Sequence, residues 1–131
     1  MKKIVWLLLP LLAACGRGLP SDQGDFDQEA WRSDKLGCEG VRAGLADSFG
    51  KIRDELSGMT EPEIRGWLGT PDRQELQPRG QKFYVYFLQP GGQCSNTEGP
   101  DGELVRIRFS ALNRVVEVSY DNLGTSASGS P

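Results

Sequence analysis

Apolar residues recur at two different periods along this chain. Val41, Leu45, Phe49, Ile52 and Leu56 follow one another at steps of three or four, the stripe of one helix face, and predict a helix over residues 35–56. Gly37, Gly40 and Gly44 line a neighbouring face. Each costs about 1 kcal/mol relative to Ala in a helix interior, so they either admit a close backbone neighbour or mark a frayed start. A second, shorter helix is specified by its punctuation. Thr60 and Glu63 have the spacing of a capping box, Pro62 suits the first turn, Met59 and Ile64 can staple it, and Gly69 with Pro71 ends it. Only about two turns lie between these marks, too few to stand alone in water, so the stripe Ile64, Trp67, Leu68 must lie on something.

Beyond residue 81 the period becomes two. Lys82 to Leu88 alternates Phe83, Val85, Phe87 against Tyr84, Tyr86, Leu88; Leu104 to Phe109 alternates Val105, Ile107, Phe109 against Arg106 and Arg108; Arg114 to Tyr120 alternates Val116, Val118, Tyr120 against Glu117 and Ser119. Pro90-Gly91-Gly92 closes the first run and Ser110 to Asn113 connects the last two. If Ile107 and Val116 share the core face, Ile107 pairs with Val116, Val105 with Val118 and Arg106 with Glu117. Placing Phe83, Val85 and Phe87 beneath the helices sends Tyr84 and Tyr86 outward beside Arg106 and Arg108. Tyrosine with arginine is the composition of binding hot spots, so these four are the candidate partner-binding residues.

The predicted fold is α+β, two helices packed on one face of a three-stranded antiparallel sheet in the order α-α-β-β-β, spanning residues 35–121. Residues 15–34 read as a flexible tether and 122–131 as a Ser/Gly-rich tail without fixed structure.

The N-terminus adds a compartment. Lys2 and Lys3 precede an apolar run from Ile4 to Leu12, and Leu12-Ala13-Ala14-Cys15 closes it. The run is too short to span a bilayer and ends in small residues, as a signal peptide over residues 1–14 does. The cysteine in this register resembles a lipobox, in which Cys15 is acylated and becomes the mature N-terminus. Gly16 follows it rather than the Asp often found in lipoproteins kept at the inner membrane, so the expected location is the periplasmic face of the outer membrane. Outside the cytoplasm the remaining pair, Cys38 and Cys94, is expected to form a disulfide; two free buried thiols are the alternative.

Composition removes several chemistries. The 131 residues carry a formal net charge of −3 and no histidine, which excludes Ser-His and Cys-His nucleophile pairs and histidine metal sites. Acidic residues are scattered without a pair spaced for acid–base work, the Glu98–Glu103 loop lacks calcium-loop spacing, and no basic patch suggests nucleic acid. No catalytic residue, metal site, cofactor or small-molecule substrate is expected.

Gly58-Met59-Thr60, Leu68-Gly69-Thr70-Pro71, Phe83-Tyr84-Val85-Tyr86 and Gln89-Pro90-Gly91, followed by a hairpin, resemble the SmpA/OmlA (BamE-type) family of outer-membrane lipoproteins over residues 58–120. The resemblance implies the α-α-β-β-β fold, a lipid anchor in the outer membrane, and an accessory, non-enzymatic role beside the subunits of the machinery that inserts β-barrel proteins, or in envelope integrity. Departures are the long first helix with its cysteine, the cysteine-bearing loop, and Lys82 where relatives often carry an aromatic. The layout also resembles the repeats of β-lactamase inhibitory proteins, which makes an inhibitor-type binder the alternative.

Overall fold

A computed structural model describes residues 26–95 and 97–121. The expected signal peptide, Cys15, the first part of the tether and the tail 122–131 lie outside these residues.

Folding begins earlier than expected. Asp27 accepts from the Ala30 amide at 3.0 Å and starts helix α1 (Gln28–Ser33). Trp31 on this helix is fully buried and stacks on Phe49 at 5.0 Å, with Phe26 also in the core. The tether reading therefore fails from Phe26 onward, and the domain boundary moves from residue 35 to 26. The isolated aromatics that looked aperiodic are core anchors.

The helix predicted over 35–56 is broken into pieces. A 3-10 turn (Lys35–Gly37) leads to α2 (Val41–Gly44), then α3 (Ala46–Ile52) and a second 3-10 turn (Arg53–Leu56). The first break spans Leu36, Gly37 and Gly40, all at positive φ, and the missing Cβ of Gly37 lets the Phe87 carbonyl approach; a methyl group there would fall 2.8 Å from that oxygen. Of the predicted stripe, Phe49, Ile52 and Leu56 are buried, Leu45 packs against the core, and Val41 is exposed. The second predicted helix forms as α4 (Glu61–Leu68). Its capping box is in place, with the Glu63 amide donating to Thr60 Oγ1 at 3.4 Å and the Thr60 amide to Glu63 Oε1 at 3.3 Å.

The sheet has four strands rather than three: β1 (Arg73–Gln77), β2 (Gln81–Phe87), β3 (Leu104–Phe109) and β4 (Val115–Asp121), in the antiparallel order β1-β2-β3-β4. The added strand comes from the polar stretch after α4. Arg73-Gln-Glu-Leu-Gln77 is an edge strand, polar apart from the exposed Leu76, and it pairs with β2 from Arg73↔Val85 to Gln77↔Gln81. β3 and β4 pair two residues away from the expected register, with Ile107 opposite Val118, Arg106 opposite Ser119 and Arg108 opposite Glu117. A bulge at Arg108/Phe109 inserts Val116 as an extra residue. The shift is even, so Val105, Ile107 and Val118 keep their core face while Val116 is left 47 % exposed.

Tyr84, Tyr86 and Leu88 join Val105, Ile107, Phe109, Val115 and Val118 beneath Phe49, Ile52, Leu56, Ile64, Trp67 and Leu68 in one core. The face assignment of β2 is thus inverted. Phe83, Val85 and Phe87 lie on the side away from the helices, where Val85, Phe87 and Leu104 form a small second cluster capped by Leu36. Two clamps hold the 35–38 segment at this end of the sheet. The Cys38–Cys94 disulfide joins it to the β2–β3 loop, and Gln93 Nε2 donates to the Leu36 carbonyl at 3.0 Å.

Candidate functional site

The four residues expected to form one binding patch are separated by the thickness of the sheet. Tyr84 and Tyr86 are fully buried on the helix side. Each hydroxyl finds a partner there, Tyr84 donating to Glu61 Oε1 at 2.6 Å and Tyr86 to the Gly69 carbonyl at 2.8 Å. Burial is possible because both polar tips are satisfied, which removes the reason for sending them to solvent. Burial raises the Tyr84 hydroxyl, and the Glu61 carboxylate beside it adds to the rise, to about 12. Burial likewise pushes Tyr86 above its ordinary range. For Glu61, burial acts upward, but the Tyr84 hydroxyl and Lys82 ammonium outweigh it and hold the carboxyl low. Lys82 Nζ lies 3.2 Å from Glu61 Oε1, so α4 is pinned to β2 through one carboxylate. A hydroxyl that stays protonated to about 12 is a donor at neutral pH and offers no base or nucleophile.

Arg106 and Arg108 do lie on the open face, and the strand pairing gives them company that alternation alone did not. Arg108 is level with Phe83 on β2 and Glu117 on β4; Arg106 is level with Val85 and Ser119. Arg106 reaches carboxylates on both edge strands, Glu75 at 3.1 Å and Asp121 at 3.5 Å, and its guanidinium lies 5.8 Å from the Phe83 ring centre. Arg108 Nε is 3.5 Å from Glu117. Arg73 lies over Phe87 at 4.9 Å and reaches Asp101 at 3.3 Å. These pairs are partly solvated, so each contributes little to stability; their effect is to fix the directions of three long side chains over an apolar floor. The contact of Arg106 with Glu75 lacks hydrogen-bond alignment, and Arg106 Nε and Glu75 Oε1 are both left without a hydrogen-bond partner.

Sequence reasoning missed Phe83, Glu75, Arg73 and Asp121 as members of this face. The only available signal was that both alternating sets of β2 are apolar, which means a strand with aromatic residues on two sides. Among the described residues no group of three or more His, Cys, Asp or Glu side chains converges as a metal site, and no helix is long and apolar enough to cross a membrane. Open grooves among the described residues include one of about 450 Å³ beside β4 and a second of about 290 Å³ lined by Lys35, Leu36, Thr70, Pro71 and Asp72. In the second, both Asp72 oxygens are already occupied, by the Leu36 amide at 3.0 Å and by the Phe87 amide at 2.8 Å and Arg42.

Fold and face together define a small disulfide-linked α+β domain that covers one side of its sheet with helices and presents an ordered arginine–aromatic–carboxylate mosaic on the other. Compared with protein-family models, with curated proteins and with solved structures, the chain matches none of them.

Proposed function

We propose that the chain is a periplasmic lipoprotein, anchored in the outer membrane through Cys15, that works as a non-enzymatic interaction module in β-barrel outer-membrane protein assembly or envelope integrity. The observation that carries the reading is the open sheet face. Phe83, Arg106 and Arg108 are half-buried, and Glu117 beside them is 55 % exposed. Arginine and aromatic side chains whose directions are already fixed lose little entropy on binding, which is what makes a surface a good hot spot.

The lipobox register at Leu12–Cys15 and the resemblance of residues 58–120 to SmpA/OmlA lipoproteins support the compartment and the machinery. The fourth strand and the helix at residues 28–33 depart from the fold that this resemblance implies, so the surface and not the topology bears the proposal. Purification of the full chain from detergent-solubilised membranes tests it. Outer-membrane fractionation with co-purifying barrel-assembly subunits is the expected result; a soluble hydrolase as the main partner would favour the inhibitor-type alternative instead.

A further inference from the structure

The two edges of the sheet are unlike. β1 carries Arg73, Gln74, Glu75 and Gln77 around one exposed apolar residue, Leu76, and runs into Pro78, the polar and proline protection that keeps an edge from pairing. β4 reads Val-Val-Glu-Val-Ser-Tyr-Asp, with no proline and no cation. Its first residue is covered: the Gly58 amide donates to the Val115 carbonyl and the Val115 amide to the Met59 carbonyl, both at 2.9 Å. From Val116 to Asp121 no further strand lies beside it among the described residues. A groove of about 450 Å³ lies beside the first half of β4, Val115 to Val118, with Arg53, Asp54 and Ser57 as its other bank. Val116 and Tyr120 are 47 % and 38 % exposed at the same edge, and the Arg53 guanidinium lies 5.3 Å over the Tyr120 ring.

We propose that β4 pairs antiparallel with β4 of a second copy of this chain, about a two-fold axis at Val118, to give a continuous eight-stranded sheet. Glu117 and Asp121 are already paired with Arg108 and Arg106, so the edge of a second copy brings little net repulsion, and charge then selects the register. Centring the axis on Val118 sets Glu117 opposite Ser119 of the second copy and Val116 opposite Tyr120, with Val118 meeting itself. Moving it one residue, to Ser119, sets Glu117 against Asp121 twice, and moving it to Glu117 sets that carboxylate against its own copy; like charges directly opposite are destabilising. The groove bank brings one cation and one anion, Arg53 and Asp54, so two banks meet without a charge excess. An isologous contact of this kind closes on itself as a dimer and leaves the polar β1 edges outermost, where further growth is blocked.

The test is cysteine cross-linking of the full chain in membranes, followed by sedimentation of the detergent-solubilised chain. Residues directly opposite in an antiparallel pair have Cα atoms about 4.5–5.5 Å apart, within disulfide reach, so Val118→Cys is expected to give a covalent dimer under mild oxidation. Gln74→Cys on the other edge is expected to give none. Ser119→Glu, which faces Arg106 within its own sheet and meets Glu117 of the second copy twice per dimer, is expected to fold and to weaken the dimer about fivefold. A chain that stays monomeric and uncross-linked overturns the proposal. So does a Val118→Cys product with a different protein, which assigns the edge to a foreign strand, and so does a dimer indifferent to Ser119→Glu.

Discussion

The guanidinium of Arg42 donates to Asp72 Oδ2 at 2.6 Å, thirty residues away in sequence, and the two side chains are only 1 % and 4 % exposed. Around them the hydrogen bonds converge from three segments, although the buried Trp31 Nε1 has no partner among the described residues. Arg42 Nε donates to the Trp31 carbonyl at 2.9 Å and Nη1 to the Phe87 carbonyl at 3.1 Å, while the Arg42 amide donates to the buried Asp34 carboxylate at 3.0 Å. The guanidinium also lies 5.0 Å from the centre of the Trp31 ring. One residue thereby ties α1, the 35–42 segment and the end of β2 into a single unit, beneath which the open face keeps its shape.

Removing Arg42 strands a buried carboxylate. Arg42→Met is expected to cost about 3–5 kcal/mol, read from the urea midpoint. Replacing the pair with two apolar residues does not restore stability here, because Asp72 also accepts the Leu36 and Phe87 amides. Arg42→Met with Asp72→Leu therefore stays well below wild type; a double variant as stable as wild type would contradict this account of the network.

The disulfide closes a loop between residues 56 apart. Reduction, or Cys38→Ser with Cys94→Ser, is expected to lower stability by about 2–4 kcal/mol while leaving the strand pairing intact by circular dichroism. Little change in the denaturation midpoint would mean that the Gln93 and Asp72 hydrogen bonds to Leu36 hold the segment unaided.

Gly37 and Gly40 both have positive φ, +64° and +78°, but only Gly37 has a close neighbour. Gly37→Ala is expected to destabilise by clearly more than Gly40→Ala, whose cost is the backbone strain alone, about 1 kcal/mol. Equal losses from calorimetry would remove the close approach to Phe87 from the explanation of the helix break.

The Tyr84–Glu61 contact makes stability pH-dependent at both ends. The folded chain holds the Tyr84 proton to about 12 while an unfolded chain releases it near 10.0. Between these values the folded state binds more protons, so stability falls as pH rises. The carboxyl of Glu61 is held below its ordinary 4.5, so its contribution is present above that pH and lost as pH falls through the depressed value. Tyr84→Phe is expected to cost about 1.5 kcal/mol at neutral pH and to flatten the alkaline limb, with Tyr86 supplying what remains. An unchanged alkaline slope would contradict the assignment.

Much of this architecture was legible in the sequence. The capping box fixed α4 residue by residue, because cap chemistry is local. Arginine alternating with valine and isoleucine gave the face of β3, and cysteine parity gave the disulfide. The face of β2 was not legible, since Phe83, Val85, Phe87 and Tyr84, Tyr86, Leu88 are equally apolar and parity decides nothing. Placing Phe83, Val85 and Phe87 inward is what sends the tyrosines outward, and the tertiary partners Glu61 and Gly69 are what make the reverse arrangement possible. β1 carries no period-2 signal because neither side of an edge strand need be apolar. The β4 register slipped because an apolar Val116 occupies a bulge. Arg42 and Asp34 look like ordinary surface charges until Asp72 and the Trp31 carbonyl are folded against them.

Binding on the open face is tested most directly by Phe83→Ala combined with Arg108→Ala, introduced into the full chain and purified from solubilised membranes. Phe83 is half-buried outside the main core, and Arg108 is tied only to the solvated Glu117, so the variant is expected to fold. Loss of one true hot spot costs about 2 kcal/mol, roughly thirtyfold in affinity, so the main co-purifying partner should fall at least that far. A folded double variant that retains its partner at the wild-type level would contradict the claim that this face is where the protein binds.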